Sequence, residues 1–302
     1  MMVGGIEAGG TKFMCVVGEP GQIVAEQRVP TTTPRDTLDA VRRFFEAQET
    51  AHGRLEAIGI GSFGPVDLHP GSPRFGFITS TPKAGWAGTD LAGVIGRAFG
   101  VPVAFDTDVN AAMLGEWRHG AARGLDTCLY LTVGTGIGGG ALVNGQLLHG
   151  LVHPEMGHVR VPHDLAADPF PGLCPFHGDC LEGLASGPAL AARWGQPAES
   201  LPADHPAWAL EAHYLAAALH GVVCTLSPQR IVIGGGVMDQ PGLMARVRHE
   251  LARQLNGYIE APGLHDLDTY VVPPALGRRA GVIGALELAA QLVARPRPER
   301  ES

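Results

Sequence analysis

Short apolar runs that end in glycine alternate along the chain with longer stretches whose apolar residues recur every three or four positions. The first run, Met2 to Glu7, is followed by Ala8-Gly9-Gly10-Thr11 and by a second apolar run from Lys12 to Gly18. Two such runs joined by a glycine turn predict a β-hairpin. The stretch 35–51 has apolar residues at helical spacing and follows Thr33-Pro34, so it is predicted to be a helix.

The alternation continues through the chain and predicts an α/β protein. Strands are predicted at 57–61, 101–106, 128–133, 140–144 and 230–233, and helices at 91–99, 108–117, 181–194, 207–226, 242–255 and 280–294. The hairpin design repeats 125 positions later, from Gly9 to Gly134, where glycines again join two apolar runs. A repeat of this length predicts two related lobes rather than an array of short units. The tail 295–302 is expected to fray.

Composition excludes several classes of protein. Of 302 residues, 45% are apolar and 17% are charged, so the chain can bury a large core. The formal net charge of −8 gives no basic surface for nucleic acid or for anionic membranes. The N-terminus lacks a signal-peptide pattern, and no uncharged apolar run approaches the roughly 20 residues that span a bilayer. We therefore expect a cytoplasmic protein that acts on neither nucleic acid nor membranes.

Three glycine-rich turns follow apolar strands, and their backbone N–H groups can approach phosphate closely because glycine has no β-carbon. The candidate contacts are Gly9, Gly10, Thr11 and Lys12 in the first turn, Thr132, Gly134, Thr135 and Gly136 in the second, and Gly234, Gly235 and Gly236 in the third. We expect positive φ angles at Gly134 and Gly136. None of the turns matches the P-loop pattern, and none opens a dinucleotide-binding helix. One such turn alone is more often only a tight turn, but three favour a phosphate site.

Cysteines and histidines cluster between positions 149 and 180. Cys174, His177 and Cys180 have chelating spacing, and His158 completes a Cys₂His₂ set for a structural Zn²⁺ ion, with His163 as the alternative to His158. A redox-active dithiol is disfavoured because the two cysteines are not spaced as C-x-x-C. The other cysteines, Cys15, Cys128 and Cys224, lie in apolar stretches and are predicted to be core residues.

Five motifs in order resemble the ROK sugar kinases, and within them the fructokinase branch. They are Gly5-Ile6-Glu7-Ala8-Gly9-Gly10-Thr11-Lys12, Asp106-Thr107-Asp108-Val109-Asn110 with Gly115-Glu116, Thr132 to Gly140, Pro154-Glu155-Met156-Gly157-His158, and Cys174 to Glu182. The resemblance covers nearly the whole chain, to the segment Gly281-Val282-Ile283-Gly284. Two positions depart from the commonest family pattern: Glu7 stands where most members have Asp, and Thr107 where many have Asn.

The resemblance implies a two-lobed fold of the actin, hexokinase and Hsp70 type, which is a duplicated ribonuclease-H-like fold with ATP in the cleft between the lobes. The expected lobes are 1–115 with 280–302, and 116–279 with the zinc loop and the nucleotide site. The resemblance also assigns the same four positions to zinc. We further expect Mg²⁺ as a cofactor and a homodimer.

Asp108 is the candidate catalytic base, because a carboxylate where a strand gives way to a helix can accept the proton of an attacking sugar hydroxyl. The bland alternative is that Asp108 is only the helix N-cap. Asp106 competes for the catalytic role, since period two places it on the same side of the strand.

The resemblance assigns further positions to the sugar: Gly64, Pro65, Thr107, Asp108, Asn110, Glu155, His158 and Glu182. The expected reaction is ATP-dependent phosphorylation of D-fructose at the 6-hydroxyl. The alternatives are a glucokinase or a hexokinase of broad specificity, a sugar-sensing repressor of the same family, and a zinc-stapled sugar-binding protein without activity. The repressor is disfavoured because the chain opens directly into its first strand and is acidic.

Overall fold

The structure is a computed structural model, and it describes residues 1–294; the fraying predicted for 295–302 concerns residues outside the described part. The strands are β1 (Val3–Ala8), β2 (Lys12–Glu19), β3 (Gln22–Pro30), β4 (Ile58–Ser62), β5 (Phe77–Ile78), β6 (Thr89–Asp90), β7 (Val103–Thr107), β8 (Cys128–Val133), β9 (Ile137–Val143), β10 (Gln146–Leu147), β11 (Arg230–Gly234) and β12 (Val271–Val272). The α-helices are α1 (Pro34–His52), α2 (Leu91–Phe99), α3 (Asp108–His119), α4 (Leu181–Ala185), α5 (Gly187–Trp194), α6 (Ala207–Leu226), α7 (Leu243–Leu255), α8 (Leu267–Tyr270) and α9 (Ala280–Ala294).

The chain divides into two compact units. The first contains Met1–Arg123, Leu148–His153 and the chain from Arg278, and the second contains Gly124–Leu147 and Pro154–Gly277. The boundaries drawn from the sequence differ in two segments, and Arg278 and Arg279 also lie in the first unit. Residues 116–123 lie in the first unit because helix α3 continues to His119. Residues 148–153 also lie there, and His149 and His153 hydrogen-bond to other residues of that unit.

The sheet of the first unit has the order β3-β2-β1-β4-β7. Strands β1, β2 and β3 pair antiparallel, whereas β1, β4 and β7 run parallel. Side chains of α1 and α2, such as Phe45 and Ile95, share an apolar core with Ile6 and Ile60. A second apolar cluster joins α9 to Val3 of β1 and its neighbours. The sheet is thus covered by helices on both faces, as parallel strands require.

The second unit repeats this arrangement. Its sheet has the order β10-β9-β8-β11-β12, with β8, β9 and β10 antiparallel and β8, β11 and β12 parallel. Strand order and direction match the first sheet position by position. The predicted α/β fold with a duplicated half is therefore confirmed.

The structure differs from the prediction in several elements, and β3, β5, β6, β10, β12 and α8 were not predicted. Strand β3 was not predicted, because only Val29 among its residues is buried and an edge strand with an exposed face shows little apolar pattern. The helix predicted at 181–194 is two helices, since Ser186 adopts an extended conformation and caps α5 by accepting from the N–H of Ala189. The second glycine turn is shorter than predicted, because Ile137 to Gly139, which were predicted to lie in the turn, already pair with β8.

Helix α6 is long and apolar, and it carries Cys224 near its end. Within residues 1–294, α6 alone has the length and composition of a membrane span, with mean hydropathy 1.3. It contains the fully buried Glu211 and packs against α4 and α7, as a core helix does. Cys15 and Cys128 are buried as predicted, but the prediction for Cys224 is wrong. Cys224 is exposed because it lies on the outward face of α6. The sequence did not indicate this face, because α6 is apolar on all sides.

Candidate active site

The first unit brings two acidic side chains to the carboxyl ends of its parallel strands. Glu7 of β1 is in register with Gly61 of β4, and Gly61 is in register with Asp106 of β7. Residues in one register row project from the same face of a sheet. Glycine is required at Gly61, in the middle of this row, because a β-carbon there would lie 2.6 Å from the β-carbon of Ala111 in α3.

Helix α3 begins at this end of the sheet and carries Asp108. Its N-cap is Thr107, whose hydroxyl oxygen accepts from the N–H of Asn110 at 3.1 Å. Asp108 is therefore the first residue of the helix, and the alternative that it serves as the N-cap is wrong. Many members of the family that the sequence resembles have Asn at this position. Thr107 can replace it because threonine is also a good N-cap.

Asp106 and Asp108 have different environments. Asp106 is buried, and its carboxylate accepts from the N–H of Thr107 at 2.7 Å, from Asn110 at 2.9 Å and from His149 at 2.9 Å. Asp108 accepts from the N–H of Val109 at 2.9 Å, and burial raises the pKa of its carboxyl group to about 6. A base works best when its pKa lies near the working pH and its oxygen is not already occupied. This geometry favours Asp108 over Asp106 as a base.

Glu7 is the third carboxylate at this end of the sheet. Burial, together with the negative charge of Asp108, raises the pKa of Glu7 to about 7, and the positive charge of Lys12 opposes that shift. The side chain reaches the start of α9, where a β-carbon on Gly281 would lie 2.6 Å from Cδ of Glu7. Gly281 thus leaves room for the longer acid. A divalent cation near Glu7 would favour its ionised form.

Two histidines from 148–153 contact the same region, although their roles were not predicted individually. His149 hydrogen-bonds Asp106, and Asp106 in turn raises the pKa of His149. His153 is buried, and its Nε2 accepts from the N–H of Val66 at 3.0 Å, next to the cis Gly64-Pro65 bond. In the sequence, only the clustering of histidines after position 149 pointed to these two residues.

The first glycine turn closes on itself. The N–H of Gly9 donates to the carbonyl of Lys12 at 2.9 Å, and the hydroxyl of Thr31 donates to the carbonyl of Gly9 at 2.7 Å. A β-carbon on Gly10 would meet nothing within 4 Å. The tip of this turn therefore has free space beside its backbone.

The second and third turns lie together in the second unit. Thr132 and Gly234 are in register at the ends of the parallel strands β8 and β11. A β-carbon on Gly134 would lie 4.0 Å from the N of Gly236, and the carbonyl of Gly134 accepts from the N–H that opens α5 at 2.8 Å. Two glycine turns thus lie side by side next to the N-terminus of α5.

The expected positive φ angles at Gly134 and Gly136 are wrong. Of the second and third turns, only Gly235 has one, at 97°. It needs glycine because a β-carbon there would lie 2.3 Å from the carbonyl oxygen of Val133. Gly136 has a different constraint, since its β-carbon would lie 2.7 Å from Oε2 of Glu182.

Glu182 links the second turn to the cysteine-rich loop. Its carboxylate accepts from the N–H of Ile137 at 2.9 Å, and it lies in the first turn of α4, which starts directly after Cys180. Glu182 is half-buried and held against the second turn, so it is not a solvated surface acid.

Four side chains converge in the cysteine-rich loop: those of His158, Cys174, His177 and Cys180. Backbone hydrogen bonds between Cys174 and Gly178 form a tight turn that sets Cys174 beside His177, and a bridge from Arg160 to Cys180 brings the His158 segment alongside.

The ligand atoms fit a tetrahedral zinc site. Nδ1 of His158 lies 3.7 Å from Sγ of Cys174, 3.5 Å from Sγ of Cys180 and 3.3 Å from Nδ1 of His177, and all four atoms lie within 4.8 Å of one another. Zn–N bonds of about 2.0 Å and Zn–S bonds of about 2.3 Å place tetrahedral ligands about 3.3–3.8 Å apart. His163 is not part of the set, because its ring nitrogens contact Asp168 and Asp179. The cluster could therefore hold zinc with the four predicted residues.

Known proteins match this chain along nearly its whole length. The sequence profile of the ROK family matches residues 3–292. A fructokinase of Zymomonas mobilis is 45% identical over 293 residues, which cover 95% of each chain. The ROK hexokinase of Thermus thermophilus is 31% identical, with a TM-score of 0.79 over 97% of this chain and 99% of that one. A ROK glucokinase of Streptomyces griseus, solved with glucose and AMPPNP, is 28% identical, with a TM-score of 0.75 over 96% and 100%.

The match runs from the first strand through α9, and it includes the segments that carry Glu7, Asp108 and the zinc-ligand set. Sequence identity, fold and chain coverage agree, and the chain belongs to the ROK family.

Proposed function

We propose that this protein transfers the γ-phosphoryl group of ATP to the 6-hydroxyl of D-fructose. The observation that carries the proposal is Asp108, a carboxylate with a pKa of about 6 at the start of α3, in a ROK chain 45% identical to a fructokinase. Identity is lower to the hexokinase, at 31%, and to the glucokinase, at 28%. Fructose is therefore favoured over glucose.

In this reaction Asp108 accepts the proton of the 6-hydroxyl while the hydroxyl oxygen bonds to the γ-phosphorus and the bond from phosphorus to the β,γ-bridging oxygen of ATP breaks. Phosphoryl transfer needs little covalent help from the protein, so positioning and charge stabilisation supply most of the rate. Asp108 at neutral pH is largely ionised, since its pKa lies near 6. It is thus ready to accept the proton.

The phosphates of ATP are assigned to the backbone of the glycine turns. Gly134, Gly136, Gly235 and Gly236 support this assignment, because two of the turns lie side by side with the N-terminus of α5. In the first turn, Gly9, Gly10, Thr11 and Lys12 are assigned to the phosphates as well. The space beside Gly10 supports that part.

Two metal ions complete the proposal. Mg²⁺ would neutralise phosphate charge, and Glu7 would hold it directly or through water; the raised pKa of Glu7, about 7, fits a carboxylate that gains from a nearby cation. Zn²⁺ would be bound by His158, Cys174, His177 and Cys180, and it would be structural because all four positions are filled by protein. Glu155 and Glu182 flank that loop.

The sugar contacts are assigned to Gly64, Pro65, Thr107, Asp108, Asn110, Glu155, His158 and Glu182. Asn110 has direct support, since its Oδ1 is buried and has no hydrogen-bond partner among the described residues. His158 can contribute too, because a ring that binds zinc through Nδ1 keeps a donor at Nε2. We also expect a homodimer in the cytoplasm.

A coupled assay tests the proposal, with fructose, mannose, glucose and N-acetylated hexosamines as acceptors and with ATP or GTP as donor. We expect the highest kcat/KM with fructose and ATP, and a product whose ³¹P coupling places phosphate on carbon 6. Higher kcat/KM for glucose would replace the proposal by the glucokinase alternative. Failure to phosphorylate any of these sugars would refute the kinase itself.

A further inference from the structure

His149 belongs to 148–153, which lies in the first unit although the chain on both sides of it belongs to the second. Its side chain is about half-exposed, and its Nε2 lies 2.9 Å from Oδ2 of Asp106. A carboxylate at neutral pH is only an acceptor, so the imidazole donates this hydrogen bond. His149 thereby occupies one oxygen of a buried acid.

The other oxygen of Asp106 orients an amide. Nδ2 of Asn110 lies 2.9 Å from Oδ1 of Asp106 and 3.4 Å from Nε2 of His149. Because Asp106 can only accept, the amide must turn its NH₂ group toward the acid and its Oδ1 away from it.

Asn110 Oδ1 is left as an acceptor without a donor. The residue is 1% exposed, and this atom has no hydrogen-bond partner within residues 1–294. Buried polar atoms are nearly always paired in native proteins, so an unpaired one next to the candidate base indicates a place for a ligand donor. A sugar hydroxyl is such a donor.

We propose that His149 is a positioning residue for the acceptor sugar: through Asp106 it holds the Asn110 amide with Oδ1 directed at a sugar hydroxyl. The inference rests on the proposed function, because it names how the sugar is held. His149 does not touch the sugar in this proposal. It supplies the third donor of Asp106, after the N–H of Thr107 and the amide of Asn110.

Without His149, Oδ2 of Asp106 loses its donor, and the acid can rotate away from the amide. The predicted effect is on sugar binding more than on chemistry. We expect His149→Ala to raise KM for fructose about 10-fold, which corresponds to the loss of one hydrogen bond to a charged group. KM for ATP and the pKa of Asp108 should stay unchanged, because Asp108 is held by backbone N–H groups.

Two variants separate positioning from a general loss of structure. His149→Gln keeps an N–H donor of similar reach, so KM for fructose should return to within about 3-fold of wild type. His119→Ala is the matched control: His119 pairs with Glu287 at 2.7 Å in the same unit, but it lies at the opposite end of α3 from Asp108. Its KM for fructose should not change.

A double-mutant cycle tests whether His149 acts through Asn110. If it does, the variant with both His149→Ala and Asn110→Ala should have the KM for fructose of Asn110→Ala alone. Multiplied effects of the two substitutions would overturn the proposal, as would an unchanged KM for His149→Ala or an equal rise for His119→Ala. If His149→Ala does not fold, His149→Leu, which fills the space but has no donor, supplies the same comparison with His149→Gln.

Failure of this inference is distinguishable from failure of the proposed function. Wild-type protein that phosphorylates no hexose would refute the proposed function whatever His149 does. Wild-type protein with fructokinase activity, combined with a His149→Ala variant of unchanged KM, would refute only the role of His149.

Discussion

Asp106 and Asp108 are two residues apart, yet their carboxylates are held in different ways. Asp106 accepts three hydrogen bonds, from a backbone N–H, from Asn110 and from His149, whereas Asp108 accepts from backbone N–H groups at the start of α3. Burial raises the pKa of Asp108 to about 6. Proximity in sequence therefore does not make the two interchangeable.

Asp108→Asn should lower kcat for fructose phosphorylation by at least about 10²-fold, because the amide cannot accept the proton. The substitution keeps size and shape, so calorimetric binding of fructose and ATP should persist. Steady-state kinetics and titration calorimetry on the same preparation measure both. Asp106→Asn is the control, and it should raise KM for fructose more than it lowers kcat. The reverse pattern would move the base to Asp106.

We expect kcat/KM for fructose to decrease as the pH is lowered below about 6. Asp108 must be ionised to act as a base, and burial raises its pKa to about 6, so activity is lost as pH falls through that value. Glu7→Gln should leave this limb at nearly the same pH, because Glu7, with a pKa of about 7, is already mostly protonated at pH 6 and adds little negative charge beside Asp108. A clear shift of the limb to lower pH in Glu7→Gln would contradict this order of titration.

At the scale of a single element, the loop from His153 to Cys180 is organised around four side chains that can bind a metal. Its four ligand atoms lie at distances that fit a tetrahedron, and its regular structure consists of isolated bridges and one short 3₁₀ turn at Met156–His158. In such a loop, metal binding supplies folding free energy directly.

Purified protein should contain one zinc per chain by elemental analysis, and Cys174→Ser and Cys180→Ser should each lose most of it. Loss of zinc should open the loop to limited proteolysis and abolish phosphorylation of fructose. Affinity should also weaken at low pH, because thiolates protonate. Cys224→Ser is the matched control, since Cys224 is exposed and outside the ligand set. Zinc loss in His163→Ala with retention in His158→Ala would reverse the assignment of the histidine ligand.

Adjacent glycines of the third turn should respond differently to alanine. Gly235→Ala should lower the free energy of unfolding by about 1–3 kcal/mol, because φ is 97° and the new β-carbon would meet the carbonyl of Val133. Gly236→Ala meets nothing within 4 Å and should leave the melting temperature unchanged. It should still raise KM for ATP, because the methyl group fills space assigned to phosphate. Equal melting temperatures for the two variants would contradict the strain argument.

At the scale of the whole molecule, the N- and C-terminal parts of the chain build one unit. Helix α9 packs against β1, β4 and α3, and the contact is close where glycines occur. A β-carbon on Gly59 would lie within 2 Å of the carbonyl of Ala285. The first unit is thus complete only when the last described helix has been added.

Gly284→Ala tests this closure. Its β-carbon would lie on the carbonyl of Ala111 in α3, so the helices would have to separate, at a cost of about 1–3 kcal/mol or more. Gly221→Ala, also within a helix but with nothing within 4 Å, should instead stabilise by about 0.5–1 kcal/mol. Differential scanning calorimetry distinguishes the two. A melting temperature equal to that of wild type for Gly284→Ala would contradict the close packing of α9 on α3.

The sequence by itself determined the features that depend on neighbours along the chain. Helices 91–99, 207–226 and 280–294 begin and end where their apolar periodicity and flanking residues predict. The duplicated hairpin and the zinc-ligand set followed in the same way. Periodicity, turn residues and chelating spacing act over a few residues, so they can be recognised before folding is known.

Only the tertiary structure decided what depends on distant parts of the chain meeting. It left Cys224 exposed and joined His149 to Asp106 across 43 positions. It also assigned positive φ to Gly235 rather than to Gly134, because the constraint is the approach of another strand's carbonyl. These outcomes arise from close packing and hydrogen-bond satisfaction among residues far apart in sequence, and no local pattern records them.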